Sequence, residues 1–502
     1  MAGPLRGRRR RVVVVGAGLG DLSAACHLVG RGHDVVVIER EDQPGGRAAQ
    51  VVRDGFTFDV GPTVLTMPGL LADAVRAAGS ELSDLLTLRP LDPAYRACFA
   101  DGSTIRVRRG REAMAEEVRA ECGPRDADAF VRFAAWLEEL YLLEMPAFID
   151  RNYDRPWDLL RPPGPALCLL RLGAWPSMHG TLASTFRDER LHRLFGFQAM
   201  YAGMSPHRAR AAFAVITYMD SIAGVYTAEG GMGAVPHALA AAAEKGGATL
   251  RYGVEVQRVI RAAGAGSGVA GVLLADGEVV TADAVVVNAD LPVACRELLP
   301  DLAVPRSLRR ATYSPSAFLW HVGVRGMPEQ AVAHHNIHFG ADWKGAFDAV
   351  LRDGRRMPDP SVLVTVPTVS DAGLAPAGHS TLYVLEPVPS LRGRVDWATD
   401  RAATGDRLAT LLRHWGYLSG RTDEIVVERA DDPTDWAARG MAAGTPFALA
   451  HSFFQSGPFR PPNLDRRVPG LVFVGSGTVP GVGVPMVLVS GRLAADRVDE
   501  LA

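Results

Sequence analysis

Arg11-Val12-Val13-Val14-Val15-Gly16-Ala17-Gly18-Leu19-Gly20-Asp21 is the stretch that decides the fold. Arg11 to Val15 is an unbroken β-branched run, the pattern of a strand buried on both faces. Three glycines follow, and Leu22-Ser23-Ala24-Ala25-Cys26-His27-Leu28 then reads as a helix closed by Gly30 and Gly32. A second buried strand, Asp34 to Ile38, ends at Glu39. Strand, glycine loop, helix, strand and a terminal acid about 20 positions on make a βαβ unit suited to a dinucleotide. Gly16, Gly18 and Gly20 let the backbone turn tightly and approach a pyrophosphate, whose charge meets the helix N-terminus. Glu39 offers two oxygens to the hydroxyls of an adenosine ribose.

Asp21 stands where this fingerprint has its third glycine. An acid in the first helical turn gains about 0.3–1 kcal/mol from the helix dipole. A carboxylate some ~6 Å from a phosphate costs about 3 kcal/mol at an effective dielectric near ~20. The balance predicts weaker cofactor binding in a domain that still folds; the alternative is a side chain turned to solvent at little cost. Gly266-Ser267-Gly268-Val269-Ala270-Gly271 also has the glycine spacing, after a strand read as Leu250 to Ile260. It leads into Val272-Leu273-Leu274, Asp276-Gly277 and Val279-Val280, which is hairpin chemistry with no helix to receive a phosphate. One dinucleotide site is therefore expected, and tight binding of a second, nicotinamide cofactor is not.

The rest of the composition narrows the class. The 502 residues suggest about three domain-sized units, and 48% hydrophobic with 22% charged residues fits a folded chain rather than a disordered or collagenous one. A net charge of −2 gives no global field for nucleic acid. The Arg6 to Arg11 cluster reads as a solvated tail that adds attraction to anionic lipid. Cys26, Cys98, Cys122, Cys168 and Cys295 are scattered and never spaced as a metal or disulfide motif, which suits a reducing cytoplasm. Val468 to Gly491, the longest uncharged stretch, is broken by glycines and by Pro469, Pro480 and Pro485, so it does not read as a membrane span. The apolar run near the start stops at Gly16, too soon for a signal core.

Further segments carry a resemblance. They are Pro44-Gly45-Gly46-Arg47-Ala48, Phe58-Asp59-Val60-Gly61-Pro62-Thr63-Val64, Glu229-Gly230-Gly231-Met232 with Pro236, Asn288-Ala289-Asp290, His334-His335-Asn336-Ile337-His338-Phe339-Gly340, and His451-Ser452-Phe453-Phe454-Gln455 through Phe459-Arg460-Pro461. Val472-Phe473-Val474-Gly475-Ser476-Gly477-Thr478-Val479-Pro480-Gly481-Val482-Gly483-Val484-Pro485-Met486 repeats strand, glycine loop and helix near the end. Together they resemble the bacterial-type carotenoid and phytoene desaturases, within the flavin-containing amine oxidase group, over nearly the whole chain. The resemblance implies FAD, with Gly16, Gly18, Gly20, Glu39, Gly46 and Arg47 holding adenosine and pyrophosphate and Arg47 supplying the cation. It places Gly61, Pro62 and Thr63 beside the flavin and the Val256 backbone at the adenine side. Gly475, Gly477, Gly483, Val484, Pro485 and Met486 would close over the ribityl and ring.

The implied fold class is α/β: a discontinuous Rossmann-like FAD-binding domain at 1–77, 225–292 and 461–502, a mixed-sheet substrate domain at 293–460, and a helical, membrane-associating insertion at 78–224. Strands are expected at Ser361 to Val366 and Thr381 to Leu385, and a helix at Asp406 to Gly416. Trp157-Asp158-Leu159-Leu160-Arg161, the prolines at 162, 163 and 165, and Leu167, Leu169, Leu170, Arg171, Leu172 and Trp175 suit a helix lying in a bilayer interface. An ordinary core helix is the alternative. His334, His335 and His338 lack a nearby Cys or clustered carboxylate to complete a metal shell, so packing or tunnel lining is expected and a metal is not.

The implied activity is desaturation of a linear C40 precursor, phytoene toward neurosporene or lycopene. A hydride goes to the flavin N5 and a proton leaves the neighbouring carbon, with quinone or oxygen as the final acceptor. Such chemistry needs few catalytic side chains, and no motif marks one; the charges of Asp150 to Asp158 are either proton-transfer groups or plain loop charge. A lipophilic polyene implies a cytoplasmic protein held peripherally at the cytoplasmic membrane, with no nucleic-acid partner. The same motifs suit a carotenoid isomerase, oxidase or other polyene desaturase, and Asp21 raises a flavin-poor, non-catalytic paralogue as a further alternative.

Overall fold

Three β-branched runs, Arg11–Val15, Asp34–Ile38 and Ala284–Val287, pair in parallel at the centre of a five-stranded sheet. Short parallel strands, Thr249–Arg251 and Leu471–Phe473, finish its two edges. This computed structural model describes residues 8–264, 268–328, 331–421 and 423–501. Arg6 of the basic cluster, Gly266 and Ser267 of the second glycine motif and both chain ends lie outside them. The strands alternate between two cores, as a pleated sheet covered on both faces must. Val12, Val14, Val35, Val37 and Val286 meet the helices Leu19–Gly30, Ala234–Lys245 and Val484–Asp499. Val13, Val36, Ile38, Val285 and Val287 meet a three-stranded antiparallel meander, Val256–Arg261, Val269–Leu274 and Val279–Thr281. Gly268 to Gly271 therefore lie in a hairpin.

The single strand expected over Leu250 to Ile260 is two strands in two sheets. Gly253, at φ 68°, turns the chain between them, a conformation glycine reaches without a Cβ clash.

A seven-stranded sheet forms the second layer, in the order Ile425–Asp431, Ser316–Arg325, His379–Val388, Val362–Thr365, His335–His338, Tyr95–Cys98, Thr104–Val107. All neighbours are antiparallel except His335–His338 with Tyr95–Cys98. The last two strands come from the stretch read as helical. Their alternation is only four residues long, with Tyr95, Ala97, Ile105 and Val107 buried and Arg96 and Arg106 outward, which is too short for a period-2 reading to stand out. Helix Trp397–His414 covers this sheet through Trp397, Leu408 and Leu412. It begins well before the expected Asp406, because the Asp396 side chain accepts the Ala398 N–H at 3.1 Å and caps it there.

Helices Arg111–Cys122, Pro124–Glu144, Met178–Thr185 and Glu189–Leu194 share a further core. Helix Pro163–Arg171 differs: none of its side chains is buried, and Leu167 and Leu170 stand exposed beside Trp157, Leu160 and Trp175. The core-helix alternative for this segment is thereby removed. Among the described residues no helix is long and apolar enough to cross a membrane.

Helices Leu19–Gly30 and Val484–Asp499 touch so closely that a Cβ on Gly491 would stand 2.6 Å from the Ser23 Cβ. Ser23 Oγ donates to the Leu488 carbonyl at 2.8 Å across the same contact. Gly491→Leu is expected to cost about 1–3 kcal/mol through overpacking, read as a lower urea midpoint; an unchanged midpoint would mean the two helices part freely.

Candidate functional site

Parallel strands all leave their sheet at one edge, and here that edge opens onto a cavity of about 1970 Å³. Small-molecule sites usually hold roughly 300–1,000 Å³, so this one has room for a cofactor and a second ligand. Gly16, Gly18, Gly20, Glu39, Gly46 and Arg47 line its sheet end. Gly16 has φ 114°, which lets the chain reverse from the strand into the helix that starts at Leu19. Glu39 Oε2 accepts the Ala17 N–H at 2.6 Å and Oε1 accepts the Glu41 N–H at 3.0 Å. Each oxygen keeps a lone pair for a hydroxyl. The Arg47 guanidinium reaches Ser476 Oγ and, at 3.5 Å, the Asp290 carboxylate, joining the first segment to the loops after two other strands.

Gly61, Pro62 and Thr63 form the next part of the wall. Gly61 passes so near Arg47 that a Cβ would stand 1.8 Å from the Arg47 carbonyl oxygen, and its own carbonyl accepts the Tyr383 hydroxyl at 2.7 Å. Val256, Gly483, Val484, Pro485 and Met486 also face the cavity. Gly475 and Gly477 stand behind the wall: a Cβ on Gly475 would meet Asn288 Oδ1 at 1.8 Å and one on Gly477 would meet Leu291 at 3.2 Å. Their space serves packing. Arg460 holds this region from behind, donating to the carbonyls of Thr478, Ser476 and Gln455 at 2.8, 2.6 and 3.1 Å. Burial pulls its guanidinium down to about 9.

A close backbone cradle, a helix N-terminus and a two-oxygen acid suit a flavin dinucleotide. The departure is Asp21, and its side chain does not turn to solvent: it is 1% exposed. Oδ2 accepts the Gly18 N–H at 2.9 Å and the Asn288 Nδ2 at 2.7 Å, while Oδ1 has no partner. Burial drives this carboxyl well above the usual carboxylate range, and the Glu39 charge pushes the same way.

Away from the sheet the lining turns apolar. It runs past Met219, Ile337 and Phe339 to Leu169, Leu170 and Trp175 at the surface. Acids interrupt it. Asp220, 3% exposed, accepts Ser221 Oγ at 2.7 Å and Gln198 Nε2 at 3.3 Å. Burial lifts its carboxyl to about 7. It sits in a π-helical turn, Tyr218–Ile222, a local widening common at functional sites. Glu144, at the end of helix Pro124–Glu144, leaves one buried oxygen unpartnered and is also raised by burial. Neither acid stood out in the sequence, because one acid per helical turn normally marks a solvated face.

The acids singled out in Asp150 to Asp158 make ion pairs and caps instead. Asp150 meets Arg492, Asp154 meets Arg466 and Arg497, and Asp158 accepts the N–H groups of Asp154 and Arg155. The His334 and His335 rings lie with their centroids 4.5 Å apart, and each of the three histidines has its own partners. His334 contacts Ser370 Oγ, His335 lies between the carbonyls of Thr63 and Ala94, and His338 stacks on Trp415 with its Nε2 3.0 Å from the Tyr417 hydroxyl.

Because the folded Asp220 carboxyl titrates near 7 and an unfolded one near ~3.9, folding keeps its proton. The destabilisation is absent below about pH 4, grows as pH rises, and is complete above about pH 7. Asp220→Asn is therefore expected to raise stability at pH 8 by roughly 4 kcal/mol and to change it little at pH 4, measured by urea unfolding. Equal effects at the two pH values would contradict this.

The family of flavin-containing amine oxidoreductases matches residues 22–499. A "Phytoene dehydrogenase" of Streptomyces griseus is 47% identical over 98% of this chain and 96% of its own length. A "zeta-carotene-forming phytoene desaturase" of Myxococcus xanthus is 38% identical over 97% and 93%. Among solved structures, an oxidoreductase from Methanosarcina mazei aligns with a TM-score of 0.62 at 17% identity, over 97% of this chain and all of its own, and shares the fold. With a dinucleotide cradle opening into an apolar channel and relatives aligned from end to end, the chain belongs to the flavin-containing amine oxidoreductase family and, within it, stands with the carotenoid desaturases.

Proposed function

We propose that this protein desaturates a linear C40 carotenoid precursor, carrying phytoene toward neurosporene or lycopene, with FAD as its redox group. The observation that carries the reading is one cavity that joins the glycine cradle to an apolar channel, in a chain so similar to a phytoene dehydrogenase. FAD, when bound, supplies the hydride acceptor. Gly16, Gly18, Gly20, Glu39, Gly46 and Arg47 hold its adenosine and pyrophosphate, the Val256 backbone meets the adenine side, and Gly61, Pro62, Thr63 and Gly483 to Met486 flank the rest. The flavin side is then assembled from 1–77, 225–292 and 461–502, and quinone or oxygen takes the electrons onward.

The apolar lining orients the hydrocarbon and keeps water from the reacting carbons. Asp220 takes the proton from the carbon next to the one that loses hydride. A carboxyl near 7 is matched to general-base work at neutral pH, and Gln198 and Ser221 hold its oxygens in place.

Leu160, Leu170 and Trp175 line the cavity and are exposed, and Trp157, Leu167 and Phe454 are exposed as well. Arg155 lies over Trp157 at 5.3 Å and Arg210 over Trp175 at 4.9 Å. Large apolar side chains rimmed by arginines fit the acyl and headgroup boundary of a bilayer. This mouth lets the enzyme draw an insoluble substrate from the cytoplasmic membrane without crossing it.

Co-expression with a phytoene-producing pathway is expected to yield desaturated products, and Asp220→Asn to cut turnover by about 10²–10⁴-fold with the flavin absorbance retained. Phytoene left unchanged by flavin-loaded protein would refute the activity. The wild-type chain is expected to sediment with anionic liposomes and the Leu160→Glu, Leu170→Glu double variant to stay in solution; a wild type that stays in solution refutes the membrane docking.

A further inference from the structure

We infer that the channel holds a subsite for the conjugated run of a polyene: a strip of five aromatic rings, Tyr201, Phe197, Phe339, Trp343 and Phe347, that begins beside Asp220 and favours a chain with a longer conjugated run over one with a shorter run. The inference rests on the carotenoid reading and extends it to which part of the substrate lies where.

All five side chains line the cavity. Each ring meets the next edge to face, with centroids 5.7, 6.1, 5.6 and 4.8 Å apart in the order given. These separations fall in the roughly 4.5–7 Å range in which aromatic pairs attract. Tyr201, Phe197 and Trp343 are half-buried and keep surface for a ligand, and Phe339 and Phe347 are buried and join them. Trp343 and Phe347, four positions apart on helix Trp343–Asp348, share one face.

The strip is held from behind. Phe99 stacks on Phe339 at 5.4 Å and 16°, and Tyr95 meets Phe197 edge-on at 5.8 Å. Arg193 donates to the Gly340 and Ala341 carbonyls at 2.7 and 3.0 Å. That ties the turn between Phe339 and Trp343 to helix Glu189–Leu194, which leads into Phe197.

Its two ends differ. Gln198, in the same short helical turn as Phe197, donates to Asp220 at 3.3 Å. Beyond Phe347, Asp348 and Arg352 line the cavity and pair with each other at 3.4 Å. Met200, Ile337 and Leu351 complete this part of the lining. Toward the bilayer the wall is aliphatic, with Leu159, Leu160, Leu169 and Leu170.

Conjugated carbons are coplanar and polarisable, and their π electrons meet ring edges as another ring would. A stretch that is already rigid loses less freedom on binding than one with tetrahedral joints. The carbons to be desaturated adjoin the conjugated run, so a run seated on the strip brings them to Asp220. Each desaturation then lengthens the part that the strip holds.

The test is partition of lycopene and of phytoene from detergent micelles onto flavin-loaded, full-length protein, with bound polyene counted after gel filtration. The flavin is kept reduced so that neither polyene is turned over. Wild type is expected to hold lycopene about tenfold more tightly than phytoene. The Phe197→Leu, Trp343→Leu double variant is expected to bring that ratio below about threefold, and Trp343→Phe, which keeps a ring, to retain it. Tyr201→Leu, a milder removal of one ring, is expected to lower the ratio about twofold. A wild-type ratio under about threefold overturns the inference, as does a ratio that the double variant and Tyr201→Leu leave unchanged. Equal binding of both polyenes strikes the strip alone, whereas binding of neither removes the carotenoid reading as well.

Discussion

Parallel pairing of Arg11–Val15 with Asp34–Ile38 on one side and Ala284–Val287 on the other sets where everything else stands. The register brings Val15 opposite both Ile38 and Val287. Residues far apart in sequence, Gly16, Glu39 and Asn288, therefore leave the sheet side by side. The helix after Gly18 directs its N-terminus to the same spot, and Leu471–Phe473 adds Ser476 next to Arg47. Arg460 fixes the far wall from behind by donating to the carbonyls of Thr478, Gln455, Ser476 and Leu449. The cavity is a consequence of strand direction before it is a consequence of any side chain.

Three acids are buried along that cavity, Asp21, Glu144 and Asp220, each shifted toward its protonated form by loss of water. Hydrophobic replacements would make a more stable protein, and buried titratable groups concentrate where chemistry needs them. Under the proposed desaturation the ligand is a hydrocarbon with nothing polar to grip, and a buried acid beside it is a candidate to take the transferred proton. The polar cost is paid at both ends of one channel.

The dinucleotide unit was legible because its signals are local: β-branched runs, glycines at fixed spacing and an acid at the strand end. The break at Gly253 and the hairpin Tyr95–Val107 were not, since short strands borrow their identity from the neighbours they pair with. Gly475 and Gly477 share a motif with cavity residues yet face away, and only the position of Asn288 and Leu291 reveals it. Asp21 was legible as an oddity, but its inward turn depends on an amide supplied 267 positions later. Asp220 carried no signal at all, because burial of a helical acid is decided by what packs against the helix.

The sheet's composition also governs the order in which the molecule can be made. Ribosomes add about 5–20 residues per second, so roughly 20–90 s pass between the emergence of Val15 and of Leu471. For the earlier part of that interval the Arg11–Val15 strand has no neighbour on one side, and afterwards Ala284–Val287 inherits the same open ladder. Unpaired strands of this kind recruit other chains. The nascent polypeptide therefore carries an open ladder at the centre of its sheet until nearly all of it has been translated.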